Sequence, residues 1–97
     1  MRQSVLVCYD IREPRRLRRV FRALRNWGDH LQYSIFRCEL NRRERAELVN
    51  LLSSLIKLSE DHLLFVDLGP ADGRGITAVE SLGRSAFAES PDEALIF

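Results

Sequence analysis

Asp10 and the arginines that follow it are the residues whose types and spacing could do chemistry. The run Val5-Leu6-Val7-Cys8-Tyr9 ends in Asp10, and Ile11-Arg12-Glu13-Pro14-Arg15-Arg16-Leu17-Arg18-Arg19 comes directly after. A carboxylate at the mouth of a strand can hold a hard divalent ion, which needs only one or two carboxylates beside its waters and the substrate's phosphate oxygens. One acid alone is a sparse site, and two-fold pairing would supply a second. Arginine binds phosphate bidentately and stacks on bases, so an acid and a polyanion grip lie within one turn of chain. On spacing alone, Asp10 also fits a turn-capping acid at a strand end.

The charge is strongly asymmetric. Residues 1–43 hold eleven basic and four acidic residues, a balance of +7, and residues 44–97 hold four basic and ten acidic, a balance of −6. Fourteen of the fifteen basic residues are arginine, and Arg12, Arg15, Arg16, Arg18, Arg19, Arg22 and Arg25 fall within fourteen positions. A solvated helix face is the plain alternative. Because no acid interrupts the run after Glu13, self-repulsion favours an anionic partner such as nucleic acid.

Several elements must position these residues. Positions 3–10 read as a strand apolar on both faces. Pro14 suits the first turn of a helix, and Leu17, Val20, Phe21 and Leu24 form its buried stripe, with Gly28 as the expected C-terminal cap. Residues 30–40 read as one strand, 62–68 as another and 76–82 as a further one. A second helix is expected at about 42–58, opened by an Asn41/Glu44 capping box, with Leu48, Leu51, Leu52, Leu55 and Leu58 on one stripe. The segment 69–75 is a glycine-containing loop without the Lys-Ser/Thr of a phosphate cradle, 83–92 reads as linker, and Ala94-Leu95-Ile96-Phe97 as a short terminal strand.

The pattern is α+β: a ferredoxin-like β-α-β-β-α-β sandwich with a four-stranded antiparallel sheet plus a short C-terminal strand, in one domain over residues 1–97. Two helices then cover one sheet face. The other face, also apolar, calls for a homodimer with sheet against sheet. Cys8 and Cys38 are expected two strands apart, too far for a disulfide. No stretch is long and apolar enough to span a membrane, and no signal peptide opens the chain, so a cytoplasmic protein without a membrane partner is expected. His30 and His62 lie 32 positions apart, with no metal-ligand spacing between them.

Tyr9-Asp10-Ile11, Arg15-Arg16-Leu17-Arg18-Arg19-Val20 and Gln32-Tyr33-Ser34-Ile35-Phe36, in that order, resemble the CRISPR-associated protein two family, the small partner of the integrase in spacer acquisition. The resemblance covers residues 3 to about 68. It implies a ferredoxin-like homodimer in which Asp10 of each protomer meets a divalent metal, usually Mg2+, at the interface. It implies either a metal-dependent endonuclease on RNA or duplex DNA, with Asp10 catalytic, or a non-catalytic DNA-binding scaffold that bridges the integrase. By motif position, Tyr9, Arg16, Arg19 and Phe36 correspond to further site residues, and Arg12, Arg15, Arg18 and Arg22 would extend the nucleic-acid surface. Leu17 within the basic run, Arg37, the acidic second half and the long glycine loop depart from the family pattern. A regulatory dimer binding a small ligand at loop 69–75 would leave the arginines unexplained.

Overall fold

The structure is a computed structural model that describes residues 1–84. The terminal strand expected at 94–97 and most of the 83–92 linker lie outside the described residues.

Strand β1 (Gln3–Asp10) leads into helix α1 (Pro14–Arg25). Glu13 caps the helix, its carboxylate accepting from the backbone N–H groups of Arg15 and Arg16 at 3.0 Å each, and Pro14 occupies the first turn. These bonds hold the Glu13 carboxyl below the ordinary carboxylate range. Helix α1 buries Val20, Phe21 and Leu24 and ends at Asn26.

Gly28 is therefore not the cap. It begins strand β2 (Gly28–Gln32), which pairs with β3 (Ile35–Leu40). A Cβ at Gly28 would collide with the Arg37 carbonyl oxygen and lie 2.7 Å from Cys38 Sγ. Glycine is thus what lets the two strands approach. The single strand expected over 30–40 is this hairpin, folded back at Tyr33-Ser34 with Tyr33 at φ +22°. Ser34 is compatible with a turn, but Tyr33 suits a strand and no glycine, proline or asparagine marks the reversal.

Helix α2 (Arg42–Leu55) starts with the expected capping box: the Glu44 backbone N–H donates to Asn41 Oδ1 at 2.7 Å and Glu44 Oε1 accepts from the Asn41 N–H at 2.9 Å. It ends three residues earlier than expected. Leu48 and Leu52 are buried, whereas Leu58 lies beyond the helix and is 82% exposed. Strand β4 (His62–Pro70) follows.

No strand forms at 76–82. A four-residue helix, α3 (Arg74–Thr77), stands there, packed on β4 and β1. A Cβ on Gly75 would meet the Ser4 Cβ at 2.6 Å, so the chain lies directly against the start of β1. The ferredoxin-like order β-α-β-β-α-β is still complete, because its extra strand comes from the hairpin.

The sheet is antiparallel, in the order β2-β3-β1-β4. One face carries Val5, Val7, Tyr9, Phe36, Cys38 and Leu40 into a core closed by Val20, Phe21, Leu24, Leu48 and Leu52. The other face carries Leu6, Cys8, Ile35, Leu64 and Val66, of which Leu64 and Val66 are 51% and 41% exposed. Both cysteines are free thiols, but not through the expected separation. Their strands are neighbours; Cys8 opposes Ile35 and Cys38 opposes Val5, an offset of three residues, or about 10 Å, with side chains on opposite faces.

Candidate nucleic-acid and metal site

Asp10 is the last residue of β1. It shares its face with Leu6 and Cys8, so its carboxylate stands at the end of the open face and is exposed. Its cross-strand partner is His62, first residue of β4. Neither side chain makes a hydrogen bond or ion pair among the described residues. An unengaged, exposed carboxylate suits a hydrated divalent ion.

The arginines divide into two groups. Leu17, Val20, Phe21 and Leu24 turn toward the sheet. Arg15, Arg18, Arg19 and Arg22 repeat the same i, i+3, i+4, i+7 spacing on the opposite side of α1 and are all exposed. None of these four has an ion-pair partner among the described residues. Together they form a cationic ridge about 10 Å long that points away from the sheet. Arg12 is also exposed, in the turn between β1 and α1.

Arg16 lies on the flank of α1 and its side chain is only 19% exposed. Its Nε donates to Asp61 Oδ2 at 2.8 Å, and its Nη2 donates to Glu60 Oε1 at 2.9 Å and Asp61 Oδ1 at 3.3 Å. The Asp61 side chain is fully buried. It also accepts from the backbone N–H groups of Arg12 at 3.0 Å and Lys57 at 2.8 Å. The Arg16 guanidinium beside Asp61, with those two amides, holds the Asp61 carboxyl down at about 2. Asp61 therefore pins the turn after Asp10 to the turn before His62. Arg16 is placed as a strut within this cluster, and its guanidinium is already occupied by carboxylates.

Tyr9 and Phe36, expected to touch nucleic acid, belong to the core. Tyr9 is 5% exposed and donates its hydroxyl to the Tyr33 carbonyl at 3.2 Å, and burial pushes its phenol up. Phe36 has no exposed surface and packs edge-on to Phe21 with centroids 5.4 Å apart. A base cannot stack on a ring enclosed in this way. His30 packs against both the Phe21 and Phe36 rings, with its Nε2 2.9 Å from the Tyr33 carbonyl oxygen.

Two residues of the site escaped the reading of the sequence, and a third, His62, was weighed there only against His30. Glu60 and Asp61 look like an ordinary polar turn, and His62 is 52 positions from Asp10. The available signal was chemical: two adjacent acids close to a strand start, in a chain whose other half is rich in arginine.

A four-stranded antiparallel sheet backed by two helices, with an acid at the mouth of the first strand and a basic first helix, defines a ferredoxin-like α+β domain. Residues 3–73 match the family described as CRISPR associated protein Cas2. A Rhodospirillum rubrum protein named CRISPR-associated endoribonuclease Cas2 1 is 42% identical over 93 residues, covering 96% of this chain and 89% of the relative. A Geobacter sulfurreducens protein named CRISPR-associated endoribonuclease Cas2 is 39% identical over 72 residues, covering 74% of this chain and 76% of the relative. The crystal structure of Streptococcus pyogenes Cas2 superposes with a TM-score of 0.72 at 29% identity, over 82% of this chain and 99% of that one. The chain belongs to the Cas2 family of CRISPR-associated proteins.

Proposed function

We propose that this chain is a metal-dependent endonuclease of the CRISPR adaptation machinery, working as a cytoplasmic homodimer beside the integrase and cutting RNA or DNA phosphodiesters. The observation that carries this reading is the position of Asp10: exposed, unengaged, and at the end of an apolar sheet face that a second copy would cover. Two copies meeting through Leu6, Cys8, Leu64 and Val66 would bury that face and bring a second carboxylate toward the first. The relatives named as endoribonucleases support the activity.

Asp10 would hold the ion, Mg2+ or another divalent metal, and its lone exposed carboxylate fits a cation that keeps most of its waters. Such an ion supplies Lewis-acid stabilisation of a phosphodiester under attack. The residues of the chain do the rest. Asp10 orients the reacting centre at the strand end, and Arg12, beside it, is free to neutralise a flanking phosphate. Asp61, through the Arg12 amide and Arg16, keeps that turn in place.

The test compares cleavage of RNA and of duplex DNA with Mg2+, with EDTA, and by Asp10→Asn. Cleavage in the first condition alone is expected. Equal cleavage in all three would identify a contaminating nuclease and overturn the reading.

One observation favours a second reading, a non-catalytic DNA scaffold bridging the integrase. The Arg15/Arg18/Arg19/Arg22 ridge lies on the far side of the sheet from Asp10, where it can grip a duplex backbone without presenting it to the acid. Under this reading Asp10→Asn leaves binding and spacer acquisition unchanged, while Arg15→Ala with Arg19→Ala weakens binding to all sequences alike.

A further inference from the structure

His62 and Asp10 are the terminal pair of the β1–β4 ladder. Residues directly opposed in an antiparallel pair carry their side chains on the same face, with Cβ atoms about 4.5–5.5 Å apart. Here that is the open face, and both residues are exposed and unengaged among the described residues. They are not held together by bonding to each other. The anchor is buried one residue away: Asp61 precedes His62 and accepts from the amide of Arg12, two residues after Asp10. The same carboxylate accepts from the Lys57 amide and the Arg16 guanidinium. An imidazole and a carboxylate thus stand side by side, facing outward, on two strand ends fixed from beneath. No group of three or more His, Cys, Asp or Glu side chains that could hold a metal exists among the described residues, so water, substrate or a second copy would have to complete any shell built on this pair.

We propose that His62 is a metal ligand beside Asp10, so that the site prefers first-row transition ions over Mg2+. The proposal rests on the reading of Asp10 as the metal-binding carboxylate. Mg2+ demands oxygen donors and gains little from a nitrogen, whereas imidazole nitrogen is a favoured donor for the transition series. His62 would bind through a neutral ring nitrogen, with water and substrate oxygen completing the shell.

Mn2+ is the probe, because it is paramagnetic and accepts both donor types. Its binding to the full chain is measured by titration, and nitrogen coupling to the bound ion by electron spin-echo modulation. Wild type, His62→Gln, Asp10→Asn and His30→Gln are compared, with melting temperatures to show that each variant is folded. The expected result is Mn2+ bound more tightly than Mg2+, with nitrogen coupling present in wild type and in His30→Gln. His62→Gln should lose the coupling and about tenfold or more in Mn2+ affinity, with Mg2+ affinity little changed. If Asp10→Asn abolishes Mn2+ binding while His62→Gln keeps both coupling and affinity, His62 is not a ligand and the reading of Asp10 stands. If neither substitution alters Mn2+ binding, both fail.

Discussion

Replacing Asp61 with asparagine keeps the shape of the side chain and removes its charge. In the native protein, Oδ1 accepts from the Arg12 amide at 3.0 Å and Arg16 Nη2 at 3.3 Å, and Oδ2 accepts from Arg16 Nε and the Lys57 amide at 2.8 Å each. An amide NH2 in place of either oxygen would confront donors with a donor. The carboxyl is held at about 2 against an ordinary 3.8, and each pK unit is worth about 1.36 kcal/mol, so charge at this site is worth about 2 kcal/mol. For a chain of this size that is a fall in melting temperature of roughly 8–15 °C. The pH dependence has a definite sign. The folded-state pKa is depressed, so the stabilisation is fully present above 3.8 and is lost as pH falls toward 2. The gap between wild type and Asp61→Asn should therefore be constant at neutral pH and close as pH drops through that window. Thermal unfolding followed by circular dichroism between pH 7 and pH 2 measures both. A variant melting within about 2 °C of wild type at neutral pH, or a gap that does not narrow in acid, would refute the idea that this buried carboxylate holds the two turns together.

Further outcomes follow from the division of the arginines and from the two sheet faces. Arg15→Ala with Arg19→Ala should lower duplex affinity and flatten the salt dependence by about 0.9 in log–log slope for each phosphate no longer neutralised, with no change in melting temperature. Arg16→Ala should do the reverse, lowering melting temperature first; filter binding and thermal unfolding on the same samples separate the two. Leu64→Glu or Val66→Glu places a charge on the open face and should leave a particle of 11.2 kDa in sedimentation, whereas the proposed pairing of sheet faces predicts a dimer for wild type. Gly28→Ala should cost about 1–3 kcal/mol in denaturant unfolding, since its Cβ has no room beside the Arg37 carbonyl and Cys38 Sγ.

Where a local pattern decided the outcome, it was legible in the sequence. The apolar run before Asp10, Pro14 with the Leu17/Val20/Phe21/Leu24 stripe, and the Asn41/Glu44 box each appear at the expected place. The hairpin was hidden because Tyr33 and Ser34 turn the chain without glycine, proline or asparagine, and the close approach of the strands at Gly28 and Cys38 is a contact between residues ten positions apart. The segment after Gly75 looked like a strand by its residue types. Its conformation is set by close backbone packing on Ser4, which no periodicity records. Within the site, a tally of arginines treats Arg16 and Arg19 alike. Three residues apart on a helix, they differ by about 60° of rotation, enough to send one toward a buried acid and the other into solvent. Tyr9 and Phe36 entered the expected site only by their positions within the motifs, and strand alternation turns both inward.

The ridge on α1 and the carboxylate on the open sheet face look in opposite directions from one thin slab of protein. A short oligonucleotide seated on the ridge would be retained yet remain out of reach of Asp10 in the same subunit. Reaching it would take a strand long enough to pass around the rim of the slab, so a minimum length for cutting, well above the minimum length for binding, would be set by the thickness of two layers of protein.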